Sequence, residues 1–441
     1  MSPTTRQPNI IFFFTDQQRA DTAGCYGNTL GLTPNLDAMA EEGVRFDLAF
    51  TAQPVCGPAR AMLQTGLYPT TTGCFRNGIP LPEGARTIAH ELGDAGYEVG
   101  YIGKWHLAGR GRYEPQWVPQ ERRGGYADHW LGADLLEFSS SAYGGGYYDA
   151  ENQFVPFDGF RVDSQTDHVL EYLRTRDGQR PFFLFLSYLE PHHQNNLDRY
   201  VAPIGYRERY EAYTAPGDLE QFHGGDWQEN LPDYYGICAN IDENLGRLRA
   251  ELARLGLAEN TVILYTSDHG THFRTRNAEY KRSCHEASIR IPMVACGPGL
   301  QGKGVVRELV SLVDIPPTIL GLAGVPAPEH YQGRSLLPLV EGQAGDWPDD
   351  VFVQISESQV GRAIRTARWK YGVNAPHKSG WTDAASGVYE EQYLYDLAND
   401  PDELRNLVGD PAYRAVADEL CERLIRRMAA AGEPRPEIVK K

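Results

Sequence analysis

The chain has 441 residues, 41% apolar and 23% charged, enough for one large α/β domain with a sizeable core and a smaller domain beside it. A formal net charge of -17 argues against nucleic acid or an anionic membrane as partner, and obliges any anionic substrate to find a local group of cations. Seven cysteines, odd in number and without framework spacing, exclude a disulfide scaffold.

The first candidate strand is IIFFF, residues 10–14. It is too short for a signal-peptide core and far short of the ~20 apolar residues of a membrane span, so a cytoplasmic protein is expected. TPNLDAMAEEG, residues 33–43, predicts a helix with Thr33 as N-cap, Pro34 in the first position and Gly43 as stop. PVCGPARAMLQTG, residues 54–66, predicts another. Pro58 suits its first turn and Gly66 its end, which puts Cys56 at the amino terminus, where the helix dipole favours an anion. Further strands are expected at 99–102, 182–186 and 262–266. IDENLGRLRAELARLGL sets Ile241, Leu245, Leu248, Leu252 and Leu255 on one helical face, and Gly256 ends it.

Strands alternating with helices predict an α/β fold: a large, mostly parallel mixed sheet sandwiched by helices. Residues 341–350 are polar and rich in breakers, so the expected units are a catalytic domain, 1–345, and a C-terminal subdomain, 346–441. In the latter, DVFVQI and RAIRTARWKYGV read as antiparallel strands and residues 415–431 as a closing helix.

Ligands of a doubly wound sheet bind beyond the carboxyl ends of its strands. There the sequence supplies Asp16 and Gln17, Lys104 and His106, His192 and His193, and Asp268 and His269. Each has a plainer reading alone: such an aspartate is usually a turn former, and Cys56 a small buried hydrophobe. Together they have one chemical logic. Asp16, Gln17, Asp268 and His269 form a hard, oxygen-rich set suited to Ca2+, with Mg2+ or Mn2+ as alternatives. Lys104, His106, His192 and Lys281 add cationic or proton-donating groups, as a tetrahedral sulfate or phosphate ester requires. A Cys56 thiolate is a soft nucleophile beside a hard ion, a mismatch which suggests that the sulfur is not the reacting form.

Cys56-Gly57-Pro58-Ala59-Arg60, followed by Leu63 and Thr65-Gly66, resembles the C-x-P-x-R signature of the type I sulfatases in the alkaline-phosphatase superfamily. The resemblance extends along the chain through TDQQRAD, GYEVGYIGKWHL, LYTSDHG, ASIRIPMVACGPG and YLYDLANDPDELRNL. It implies that a separate formylglycine-generating enzyme, met transiently, oxidises Cys56 to Cα-formylglycine (3-oxoalanine). One hydroxyl of the aldehyde hydrate then attacks sulfur, the alcohol leaves, and deprotonation of the second hydroxyl expels sulfate.

By the same resemblance Asp16, Gln17, Asp268, His269 and the modified Cys56 hold the metal, and Arg60 steadies the diol. Lys104 grips diol and sulfate oxygens, and His106 is the base. His192 and Lys281 bind sulfate and protonate the leaving group, with His193 as the alternative to His192. The Asp-Gln and Asp-His pairs replace the Asp-Asp and Asp-Asn of many sulfatases. They also occur in choline-sulfatase-like members and in phosphonate monoester hydrolases. The expected activity is therefore hydrolysis of a sulfate ester, a sulfated carbohydrate ahead of aryl or alkyl sulfates, with a phosphonate or phosphate mono- or diester as alternative. Arg112, Arg122 and Arg123, interleaved with Trp117 and Trp130, suit a sulfated sugar bearing a carboxylate, and equally an ordinary solvated loop.

Overall fold

The computed structural model describes residues 7–222 and 224–441. Its principal sheet has eleven strands. They are β1 (Asn9–Asp16), β2 (Val44–Phe50), β3 (Glu98–Lys104), β4 (His129–Ala133), β5 (Ser140–Ser141), β6 (Gly144–Tyr148), β7 (Phe154–Phe157), β8 (Phe182–Pro191), β9 (Thr261–Ser267), β10 (Met293–Cys296) and β11 (Gly304–Ser311). Their spatial order is β11-β2-β10-β9-β1-β8-β3-β4-β6-β5, with β7 paired to β6. β9, β1, β8, β3 and β4 are mutually parallel. β10 runs antiparallel to both β9 and β2, so β2 and its parallel neighbour β11 share the direction of β1.

The run IIFFF is continuous because β1 is buried on both faces. Ile10, Phe12 and Phe14 enter one core, and Ile11 and Phe13 the other. Helices α1 (Pro34–Glu42), α2 (Cys56–Thr65), α3 (Arg161–Thr175), α4 (Trp227–Arg254) and α5 (Ile315–Leu322) cover the faces. α1, α3 and α4 pack on the side of Ile11, and α2 and α5 on the side of Ile10.

Two helical expectations change in detail. Thr33 makes no cap hydrogen bond to α1. Asp242 of α4 accepts the Asn35 and Leu36 amides instead, at 2.9 and 2.8 Å, so the orphan N–H groups are satisfied across the core. α4 begins at Trp227, well before the periodic stretch, and carries Pro232 within it.

The second sheet holds β12 (Asp350–Ile355), β13 (Gly361–Thr366), β14 (Trp369–Asn374), β15 (Val388–Asp396) and β16 (Glu437–Val439) in that order. Its first four strands are antiparallel, and β16 joins parallel to β15. The closing helix α6 (Arg414–Ala430) lays Leu420, Leu424 and Met428 into the core that also contains Phe352, Ile364 and Leu394. Among the described residues no helix is long and apolar enough to cross a membrane.

Candidate active site

Five parallel strands end on one edge and bring the chemistry-bearing residues there. β1 ends at Asp16 and β3 at Lys104; β8 runs into His192, β9 into Asp268 and His269, and β2 leads through residues 51–55 to Cys56. Of these five, β2 is the one that sequence reasoning missed. Its sequence, VRFDLAF, alternates with a half-buried face and lacks the continuous apolar run of its neighbours.

Helix α2 opens at Cys56 because Val55 is still extended and Gly57 is closely packed. The Gly57 amide donates to Asn77 Oδ1 at 2.9 Å, and a Cβ on Gly57 would lie 2.9 Å from that oxygen. Asn77 thus caps the helix from outside it. Gly103 serves β3 similarly. Its φ is +118°, and a Cβ would fall 1.9 Å from the Ser187 carbonyl oxygen, so only glycine lets Lys104 turn inward.

Around Cys56 the contacts are short. Its sulfur is 3.3 Å from Asp16 Oδ1, 3.3 Å from His269 Nε2 and 2.9 Å from Lys281 Nζ. Lys104 Nζ reaches Asp16 Oδ2 at 2.9 Å, and Arg60 reaches the same oxygen at 3.1 Å. The other Arg60 terminal nitrogen donates to the Lys104 carbonyl (2.7 Å) and to Ser187 Oγ (2.6 Å), so Arg60 contacts the sulfur's neighbours and not the sulfur. Gln17, at φ +75°, turns its amide nitrogen to the Tyr200 hydroxyl and its oxygen to Lys281 Nζ, 3.4 Å away. His106, at φ +61°, leaves Nδ1 without a partner. Left-handed backbone at non-glycine residues is the kind of strain that functional sites retain.

Asp16, Cys56, Asp268 and His269 each offer a ligand atom, all within 4.8 Å of one another and all buried. Two observations fit a cation among them. Asp268 Oδ2 is buried without a hydrogen-bond partner. Burial, together with the charges of Asp16 and Cys56, also pushes the Asp268 carboxyl up to about 8, a penalty that a bound cation reverses. His269 is prepared as a ligand: Nδ1 bonds the Gly270 carbonyl at 2.9 Å, which leaves the Nε2 lone pair facing inward. Burial pushes its imidazole down to about 4. Although burial opposes its charge, Asp16 is held well below the usual carboxylate range by Lys104, Lys281, His192 and Arg60.

His192 Nδ1 bonds the His193 carbonyl at 2.7 Å, and the two rings stack with centroids 4.3 Å apart. His193 in turn packs tilted against Tyr280, with centroids 4.3 Å apart. Burial and the Lys281 charge hold both imidazoles well below their ordinary value, as burial and Lys104 do for His106.

The arginine-rich loop divides three ways. Arg112 is exposed, lies over the Phe138 ring at 4.9 Å, and so neighbours Glu137, whose carboxylate is 3.3 Å from Lys104 Nζ. Arg122 donates to the Leu81 carbonyl and lines a separate surface cavity of ≈ 490 Å³ with Leu81 and His90. Arg123 is a correction to the sequence reading. It is buried, and its three nitrogens all donate to the chain's own groups: Nε to the Val118 carbonyl, one terminal nitrogen to the Ala150 carbonyl and the other to Asn152 Oδ1. Trp130 is likewise a core residue, stacked on Tyr101 at 5.2 Å. Ser187, the first polar residue after FFLFL, carried a signal that sequence reasoning passed over. Glu137, Tyr200 and Asn77 carried none.

Comparison with known proteins agrees with this architecture. The sulfatase family model matches residues 8–325, and a model of the N-sulphoglucosamine sulphohydrolase C-terminal region matches residues 279–430. The chain belongs to the sulfatase family and is a sulfuric ester hydrolase. An ulvan-active sulfatase of Formosa agariphila is 31% identical over 97% of this chain and 82% of its own length. The crystal structure of a putative sulfatase from Bacteroides fragilis superposes with a TM-score of 0.87 at 26% identity, covering 98% of each chain. A phosphonate monoester hydrolase of Agrobacterium radiobacter shares the fold, with a TM-score of 0.74 at 24% identity over 96% of each chain.

Proposed function

We propose that the chain removes sulfate from a sulfated carbohydrate, with Cys56 converted to formylglycine and a divalent cation, Ca2+ ahead of Mg2+ or Mn2+, held by Asp16, Gln17, Asp268, His269 and residue 56. The catalytic unit is residues 1–345, and residues 346–441 form a subdomain against it. The observation that carries the reading is the convergence of Asp16, Asp268 and His269 on a sulfur at the first position of a helix, with Lys281 Nζ 2.9 Å from it. The carbohydrate preference draws on the match of residues 279–430 to the N-sulphoglucosamine sulphohydrolase model.

When bound, the cation supplies positive charge that offsets the developing oxyanion, and the formylglycine hydrate supplies a hard oxygen nucleophile. The chain's own residues do the rest. Lys104 and Lys281 hold the sulfate oxygens and the helix dipole of α2 adds to their field, while Arg60 fixes Asp16 and the main chain of Lys104. His106, kept neutral by burial, takes a proton from the nucleophile side. His192 presents an unprotonated Nε2, because its Nδ1 is engaged by the His193 carbonyl, so the hydrogens offered to the leaving oxygen come from Lys281. Arg112 at the rim offers a fork to a substrate carboxylate.

A phosphonate or phosphate ester is the second reading, favoured by the Asp16-Gln17 and Asp268-His269 pairs. Parallel kcat/KM measurements on aryl sulfate, aryl phosphonate, a phosphodiester and sulfated mono- and disaccharides test both. A preference for sulfated sugars is expected, and a preference for phosphonate would overturn the first reading.

A further inference from the structure

We infer that Glu357, in the turn joining β12 to β13, is a positioning residue that keeps the helix of Cys56 and the loop of Lys281 in register; the inference rests on the roles proposed above for those two residues. Three consecutive residues of the turn grip three different segments of the site. Ser356 Oγ accepts from Gln53 Nε2 at 2.7 Å, in the link between β2 and α2. Glu357 Oε1 accepts the Asn77 amide at 2.7 Å, and Asn77 Oδ1 accepts the Gly57 amide at 2.9 Å, one residue beyond Cys56. Glu357 Oε2 pairs with the Arg282 guanidinium at 2.5 Å, and Ser358 Oγ donates to the Arg282 carbonyl at 2.7 Å. Arg282 directly follows Lys281. One carboxylate from the second sheet therefore ties together the two segments that must meet at the nucleophile.

The backbone supports the assignment. Glu357 has φ +63° and Arg282 has φ +67°, both in the region that favours glycine. The Glu357 side chain is 1% exposed and that of Arg282 13%, so the ion pair is largely buried. A glycine at 357 would adopt this backbone more readily than glutamate does. The contacts of the side chain are what glutamate adds, and those contacts all lead to the site.

The test compares wild type with Glu357→Gly and Glu357→Gln. The readouts are kcat and KM on 4-nitrophenyl sulfate, thermal denaturation, and amide hydrogen exchange across residues 53–60 and 277–285. For Glu357→Gly we expect kcat to fall about 10- to 100-fold, the range of a misplacement near 1 Å, with KM little changed. Its Tm should fall only slightly, because Arg282 keeps its pair with Glu279 and glycine suits the positive φ, and faster exchange should be confined to those two segments. Glu357→Gln keeps the acceptor for Asn77 and should recover part of kcat. Wild-type kcat in Glu357→Gly overturns the inference. So does a large loss of Tm with faster exchange throughout the chain, which marks a general structural role. Exchange needs no turnover, so it still tests the clasp if the wild type fails on sulfate esters, a failure that counts against the proposed function alone.

Discussion

The Lys281 ammonium lies 2.9 Å from the Cys56 sulfur and 3.0 Å from His269 Nε2, so one cation bridges the nucleophile position and a proposed metal ligand. With His192 neutral, Lys281 is the proposed source of donor hydrogens on the leaving side. Lys281→Ala should lower kcat/KM by about 10²–10⁴-fold, and Lys281→Arg should not restore it, because a planar fork does not fit where a compact ammonium touches two atoms. Steady-state kinetics on an aryl sulfate check this, and full recovery by arginine contradicts it.

His106 should set the acidic limb of the rate. Burial and the Lys104 and Arg60 cations favour its neutral form and hold it well below the ordinary 6.5. The neutral imidazole is the proposed base, so activity should be retained as pH falls through 6.5 and be lost only further down. A pH profile of kcat/KM reads this directly. His106→Asn should lose about 10²–10⁴-fold in kcat at every pH.

Cation binding should stabilise the fold through Asp268. Its buried carboxyl is pushed up to about 8, and its Oδ2 has no partner. Saturation with Ca2+ at about 100 times Kd should raise stability by about 2.7 kcal/mol over the chelated protein. Asp268→Asn should remove that increment while the metal-free Tm stays the same, because a carboxyl pushed up to about 8 is already largely protonated at neutral pH. Differential scanning calorimetry with and without chelator measures both.

Acid sensitivity of the fold should come in part from two buried histidines outside the proposed ligand set, His129 on β4 and His272, whose Nε2 bonds the Lys281 carbonyl at 3.1 Å. Burial pushes His129, packed tilted against Tyr172 with centroids 4.7 Å apart, down to about 4, and His272 down to about 3. In the unfolded chain each titrates near 6.5. Stability is therefore fully present above about 6.5 and falls as pH drops toward the folded values, by up to about 1.4 kcal/mol per pH unit for each. Urea unfolding at pH 7.5 and pH 5 tests this, and His129→Gln should flatten the slope.

Arg123 and Arg112 should separate by assay. Arg123 anchors main-chain carbonyls, so Arg123→Ala should lower stability by about 1–3 kcal/mol and leave KM for a sulfated sugar unchanged. Arg112→Ala should leave Tm alone and raise KM for a carboxylated substrate.

What the sequence made legible follows from burial. β1, β8 and β9 are covered on both faces and read as continuous apolar runs, so the residues that follow them could be picked out. β2 has a half-buried face, and its alternating pattern did not stand out from a loop. Asn77 sits in an Asn-Gly pair and reads as a turn former, and its bond to Glu357 spans 280 positions. Arg123 shows the opposite limit: an arginine held by carbonyls and one aimed at a substrate have the same letter. The metal-ligand candidates were legible because strand ends concentrate polar residues. The clasp that steadies them was not, because it depends on two distant turns meeting.

The most direct measurement is the mass of the peptide containing Cys56, taken from protein made with and without a formylglycine-generating enzyme and paired with turnover of 4-nitrophenyl sulfate. The account predicts conversion of the cysteine to the aldehyde in the active preparation, and unmodified thiol with little turnover in the other. Equal turnover by the unmodified thiol form would contradict it.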